Sequence, residues 1–215
     1  MLEVGKCYTK PEMTGMFGSK DNQGIERKIR GYGVEFSVSG RGETAVYEIL
    51  KLKDPFKVFA IIELGCAANT SFTKLRNFYW YYFNDETFMA MPDEVKEVWM
   101  KKDDKTITRQ TIASYTQKLV AKELIDRNTK NYVYYFAFKD KQYMTDGVKY
   151  RQAWREYWEA IDNGYCSFDA ICNMRLNYGG VARKQPIPEI NGIYNEQIEQ
   201  MLTYIQQSIE NEIED

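Results

Sequence analysis

The chain has 215 residues, 44% of them hydrophobic, and a formal net charge of −2, so it can bury one large core or two small ones and is not a disordered polymer. It contains no histidine, which excludes Ser-His-Asp and Cys-His catalysis, the HExxH zinc site and every zinc finger that uses His. No stretch approaches the roughly 18 to 20 apolar residues of a membrane helix, and Cys7, Cys66, Cys166 and Cys172 form no CxxC pair. The expectation is therefore a cytoplasmic protein with reduced thiols, no membrane partner, no metal and no cofactor.

A pI near 5.5 argues against a nucleic-acid partner, but the charge is unevenly spread. Residues 101–141 carry ten basic against five acidic residues, whereas 186–215 carry seven acidic residues and no basic one. An acidic tail masks a basic middle.

In chain order, Tyr8-Thr9-Lys10-Pro11-Glu12 opens a short helix, with a proline and an acid suited to the first turn, and that helix ends near Gly18. After a polar turn, Ile25 and Ile29 predict a second short helix that stops at Gly31 and Gly33. Alternation through Val34, Phe36 and Val38, and again over 45–53, predicts a hairpin with Gly40-Arg41-Gly42 at a basic tip. Residues 55–105 read as helical. One helix runs through Phe56, Phe59 and Leu64, a second through Phe72, Leu75, Phe78, Tyr79 and Tyr82, and a third from Pro92 to Trp99. The aromatic run at 78–83 has helical spacing and is read as core, not as a base-stacking surface.

Over residues 108–125 the apolar positions Ile112, Tyr115 and Leu119 give a helix one core face, and Arg109, Gln110, Ser114 and Lys118 occupy the rest. A turn at 126–131 leads to Tyr132-Val133-Tyr134-Tyr135-Phe136-Ala137-Phe138, a strong strand former, and Lys139-Asp140-Lys141 turns the chain back. Further on, residues 150–161 form an aromatic helix stopped by Asn163-Gly164, another helix starts at Ser167 and is broken at Gly179-Gly180, and 184–188 read as an extended linker. A last helix from Asn195 places Ile198, Leu202, Ile205 and Ile209 on a heptad-like seam, which either pairs two copies of the chain through residues 195–213 or docks on its own domain.

The segment from about 102 to 143, with its Thr108-Arg109-Gln110-Thr111-Ile112 start, resembles the recognition helix and wing of winged helix-turn-helix proteins among bacterial and phage regulators and replication initiators. Residues 8–53 resemble a second, shorter copy. The resemblance implies a mainly α fold with small β-hairpin wings (α+β): a winged-helix-like unit at 1–54, a helical region and central winged unit at 55–145, and a C-terminal helical extension at 146–215. It implies double-stranded DNA as partner, contacted by Arg109, Gln110, Thr111, Ser114 and Lys118 from the central helix. Arg127, Lys130 and Arg41 would make wing or backbone contacts, and Arg27, Lys28 and Arg30 would act from the first unit.

Two function classes follow. One is a non-enzymatic DNA binder, either a transcriptional regulator or a replication or partition factor of a phage or mobile element. The other is a protein-interaction module or inhibitor of a nucleic-acid enzyme that keeps the winged fold without binding DNA, which the acidic balance favours. Enzymatic work would fall to carboxylates such as Asp93-Glu94 or Asp103-Asp104, whose members are sequence neighbours and point apart.

Overall fold

Strand β1 (Cys7–Thr9) runs into helix α1 (Lys10–Phe17), where the Glu12 carboxylate accepts from the Thr9 backbone N–H at 2.7 Å and Pro11 stands in the first turn. Gly18 ends α1 at φ 62°, a left-handed conformation that glycine adopts without a Cβ clash. Helix α2 (Asn22–Gly31) is capped by Asp21, whose carboxylate accepts from the Gly24 N–H at 2.6 Å. Strands β2 (Val34–Ser39) and β3 (Val46–Leu52) then pair antiparallel, and β1 joins the far edge of β3 to give the order β1-β3-β2. Leu50 is the extra residue of a bulge, since Glu35 faces Lys51 and Phe36 faces Ile49.

The remaining elements are α3 (Pro55–Ile62), α4 (Phe72–Asn84), α5 (Glu86–Ala90), α6 (Asp93–Lys102), α7 (Arg109–Ala121), β4 (Ile125–Asp126), β5 (Tyr132–Phe138), β6 (Lys141–Thr145), α8 (Gly147–Asp162), α9 (Ser167–Tyr178), β7 (Val181–Pro186), β8 (Glu189–Ile190) and α10 (Asn195–Glu214). The structure, a computed structural model, describes residues 1–102, 106–127, 129–139 and 141–214. The Asp103-Asp104 pair, Lys105, and Asp140 of the predicted turn lie outside the described residues. The class is mixed α+β with small antiparallel sheets, and strand pairs occupy both segments where hairpins are predicted. No helix among the described residues is long and apolar enough to cross a membrane.

Contacts divide the chain into two units, Met1–Trp80 with Gly192–Asp215, and Tyr81–Asn191, so the division falls within α4 and not at 54 and 145. The reason lies in α10. Its Ser208 hydroxyl donates to Asp54 Oδ1 at 2.7 Å and accepts from the Phe56 N–H at 2.9 Å, while Asp54 also caps α3 by accepting from the Lys57 N–H. Asn211 donates to the Leu52 and Lys53 carbonyls, and the nearly buried Arg76 makes two bonds, of 2.9 and 2.6 Å, with Glu212. Ile198, Met201 and Ile205 are buried. The predicted seam at 195–213 is thus largely spent inside the first unit, and of its two alternatives docking is the one observed. The core of this unit gathers Met13, Phe17, Ile25, Ile29, Val34, Tyr47 and Ile49.

In the second unit, β5 lies between β6 and β7. Of residues 184–188, read as an extended linker, the first three are strand. Lys184, Gln185 and Pro186 belong to β7 and face Tyr134, Val133 and Tyr132, because β5 otherwise leaves an open edge of unpaired backbone groups. Phe136 stacks on Tyr178 at 5.0 Å between ring centres, within a core completed by Ala153, Met174 and Ala182. Helix α7 stops four residues short of the predicted end at 125. Glu123 turns left-handed at φ 58°, and the Leu124 and Glu123 N–H groups return to the Leu119 and Val120 carbonyls, with Leu119 and Leu124 both buried.

Replacing the fully buried Ile205 by alanine should lower the unfolding free energy by about 2 to 5 kcal/mol, read from urea titrations followed by circular dichroism. An unchanged transition would show that α10 is not part of the core.

Candidate nucleic-acid interface

Helix α2 buries Ile25 and Ile29, which fixes what it shows to solvent. Arg27 lies about 200° round the helix from Ile25, and Gln23 and Arg30, at about 160° and about 140°, lie together to one side of it on the outward face. All three are exposed. The four cations expected to contact DNA from this unit have different duties. Lys28 Nζ donates to the Phe17 carbonyl at 2.5 Å, satisfying an acceptor at the end of α1. Arg30 pairs with Glu26 at 3.2 Å and lies over the Phe36 ring. Arg27 and Arg41 are exposed, and neither side chain has an ion pair or hydrogen bond among the described residues.

The hairpin tip that carries Arg41 is held against both helices. Lys10 Nζ pairs with Glu43 at 2.5 Å, and the Asn22 side-chain amide donates to the Gly42 carbonyl at 3.2 Å. Arg41 therefore neighbours a residue bonded to the first position of α2. Gly40 permits this turn, since it has φ 78° and a Cβ there would meet the Thr44 carbonyl oxygen at 2.5 Å.

The central helix offers a different surface. Ile112, Tyr115, Thr116 and Leu119 are buried, so the outward stripe of α7 consists of Gln110, Ser114 and Gln117, which are all neutral. Arg109 lies on one flank and pairs with Glu94 at 2.9 Å, while its backbone N–H donates to Glu97. Glu94 also stands 3.9 Å from Arg183. Lys118 is half-buried on the opposite flank, because nine residues separate it from Arg109 and rotate it by about half a turn. The Thr111 hydroxyl is engaged with that of Thr108 at 2.9 Å. Arg127 is half-buried and Lys130 exposed. Asp93 and Glu94 serve separate partners, Lys96 and Arg109.

Sequence reasoning missed Gln23, although a helical wheel anchored on Ile25 and Ile29 places it beside Arg27. It also missed Glu94 as the partner of Arg109. No sequence signal marks that pair, since the two residues belong to different helices.

On α6, Lys96 is buried, with Nζ donating to the Met89 and Met91 carbonyls at 3.0 and 2.7 Å and lying over the rings of Tyr82 and Phe88. Burial depresses its pKa to about 8, Asp93 opposes that shift, and Arg127 adds to it. Trp99 packs edge-on against Tyr81, with ring centres 4.6 Å apart, and beside Phe88 at 5.1 Å. Tyr82, Phe78 and Tyr79 are fully buried, as expected for core aromatics.

Comparison with family models, with curated proteins and with solved structures finds no match.

The folded pKa of Lys96 lies below the ordinary lysine value of 10.5, so between about 8 and 10.5 the unfolded chain binds more protons than the folded one. The cost of keeping Lys96 charged is full below that window and is relieved as pH rises through it. The stability of the wild type relative to Lys96→Met should therefore increase between about pH 7.5 and 9.5. A pH-independent difference would refute a depressed Lys96.

Proposed function

We propose that this chain is a non-enzymatic protein that binds double-stranded DNA through its first unit, with α2 as recognition helix and the hairpin tip at 40–42 as wing. The observation that carries the reading is the placement of two exposed, uncommitted arginines: Arg27 on the outward stripe of α2, and Arg41 on a tip tied to the start of that helix. A helix in the major groove with a cationic loop beside it meets both requirements of duplex recognition, base-edge donors and phosphate neutralisation. The order α1, turn, α2, β2, β3, with β1 added to β3, supports the reading, since a pair of helices is followed directly by a hairpin that can serve as a wing. The segment containing α6, α7, β5 and β6 is proposed as a second winged unit. There Gln110, Ser114 and Gln117 offer neutral hydrogen-bonding groups, while Arg109 is held by Glu94.

Transcriptional regulation and replication or partition of a phage or mobile element both use such modules, and the proposal covers both roles. A second reading, binding of another protein, draws on the outer surface of α8 and α9. There Trp158, Phe168 and Leu176 are exposed, the last two at 70% and 82%.

Retention of the full chain on duplex DNA at two salt concentrations separates the readings. Arg27→Ala and Arg41→Ala should each weaken binding and, where the arginine meets phosphate, reduce the salt slope by about one. Lys28→Ala should act mainly on stability. A wild-type protein that elutes from duplex DNA at low salt would leave the protein-interaction reading in its place.

A further inference from the structure

Only some of the polar groups in the first turn of α2 are available to a ligand. Asp21 is committed to the Gly24 N–H, so the end of the helix is already capped, and the Asn22 amide is committed to the Gly42 carbonyl. Gln23, the next residue, is exposed, and its side-chain amide has no hydrogen bond among the described residues. It precedes Arg27 by one helical turn, and the same two buried isoleucines turn both outward.

Four residues of helix advance about 6 Å, close to two base-pair steps of about 3.4 Å each. A glutamine amide carries a donor and an acceptor that match N7 and N6 of adenine, and a guanidinium carries two donors that match N7 and O6 of guanine. Arg30 is less suited to a base, because Glu26 and the Phe36 ring hold it to one side. Resting on the proposal that α2 enters the major groove, we infer that Gln23 is a specificity-determining residue that selects adenine about two base pairs from a guanine selected by Arg27. The ligand class is thus a duplex site with an adenine and a guanine edge in one groove, and not DNA in general.

The test is selection of binding sites from a randomised duplex library by the full chain, comparing wild type, Gln23→Ala and Gln23→Arg. In the wild type, an adenine and a guanine should be enriched at neighbouring positions. Gln23→Ala should lose the adenine preference, by roughly 10- to 100-fold at that position, with the guanine preference and the salt slope unchanged. Gln23→Arg should turn the same position to guanine, and circular dichroism should show both variants folded.

Unchanged preferences in Gln23→Ala would overturn the inference, as would equal weakening on all sequences, which marks a phosphate contact. Either result would leave DNA binding itself intact. Absence of any salt-dependent retention by the wild type would overturn both the inference and the DNA-binding reading beneath it.

Discussion

Ile25 and Ile29 are four residues apart on a ten-residue helix, and both are fully buried in the cluster with Met13, Phe17, Tyr47 and Ile49. Burying each side chain contributes about 1.5 to 3 kcal/mol, a sizeable fraction of a small unit's stability. A rotation of α2 that exposed them would sacrifice that contribution, so the helix has one orientation. Its outward stripe of Gln23, Arg27 and Arg30 follows from the core and not from any selection visible on the surface. The hairpin tip inherits the same constraint, because Asn22 and Lys10 tie it to the starts of α2 and α1.

The net charge of −2 says little about what this molecule can meet, because many of its cations are committed internally. Lys28 satisfies a helix carbonyl, Lys96 satisfies two backbone carbonyls in the second unit, Arg76 is matched by Glu212, and Arg109 by Glu94. Arg109 is the exposed member of its pair, so that pair adds modestly to stability but occupies a donor that phosphate would otherwise engage, whereas Arg76 is buried and its two bonds to Glu212 serve the docking of α10. A count of ten basic residues over 101–141 therefore overstates the potential of the central helix, whose outward stripe is neutral. The first unit carries twelve basic against fifteen acidic residues, six of the acids in 192–215, but presents Arg27 and Arg41 uncommitted.

The closure of the first unit depends on a polar bridge and not only on apolar burial. Ser208 connects the Asp54 cap of α3 with the Phe56 N–H, so α10 is keyed in register along α3 while Ile198, Met201 and Ile205 fill the space beneath it. A buried N–H at a helix start lacks an intrahelical partner, and the Ser208 hydroxyl supplies one from more than 150 positions away. The acidic character of this segment is compatible with this docking, because Glu196, Glu199, Glu210 and Glu212 of α10 are exposed.

The amino-acid sequence by itself determined the elements whose signals are local. Pro11 and Gly18 bound α1, Ile25 and Ile29 pattern α2, alternation and the Gly40-Arg41-Gly42 tip mark the first hairpin, and Asn163-Gly164 end α8. Each rests on a backbone preference or a periodicity contained within a few residues. Of the surface proposed to meet DNA, Arg27 and Arg41 were legible in this way. Tertiary structure decided which of the expected cations remain uncommitted, that 184–186 form a strand, that α10 folds back onto α3, and that α7 shows a neutral stripe. Those outcomes depend on partners distant in sequence, Phe17 for Lys28, Glu94 for Arg109, β5 for β7 and Asp54 for Ser208. A hydrogen bond or ion pair between residues far apart in sequence leaves no periodic signal in the chain, so it becomes readable only when the fold brings its two halves together.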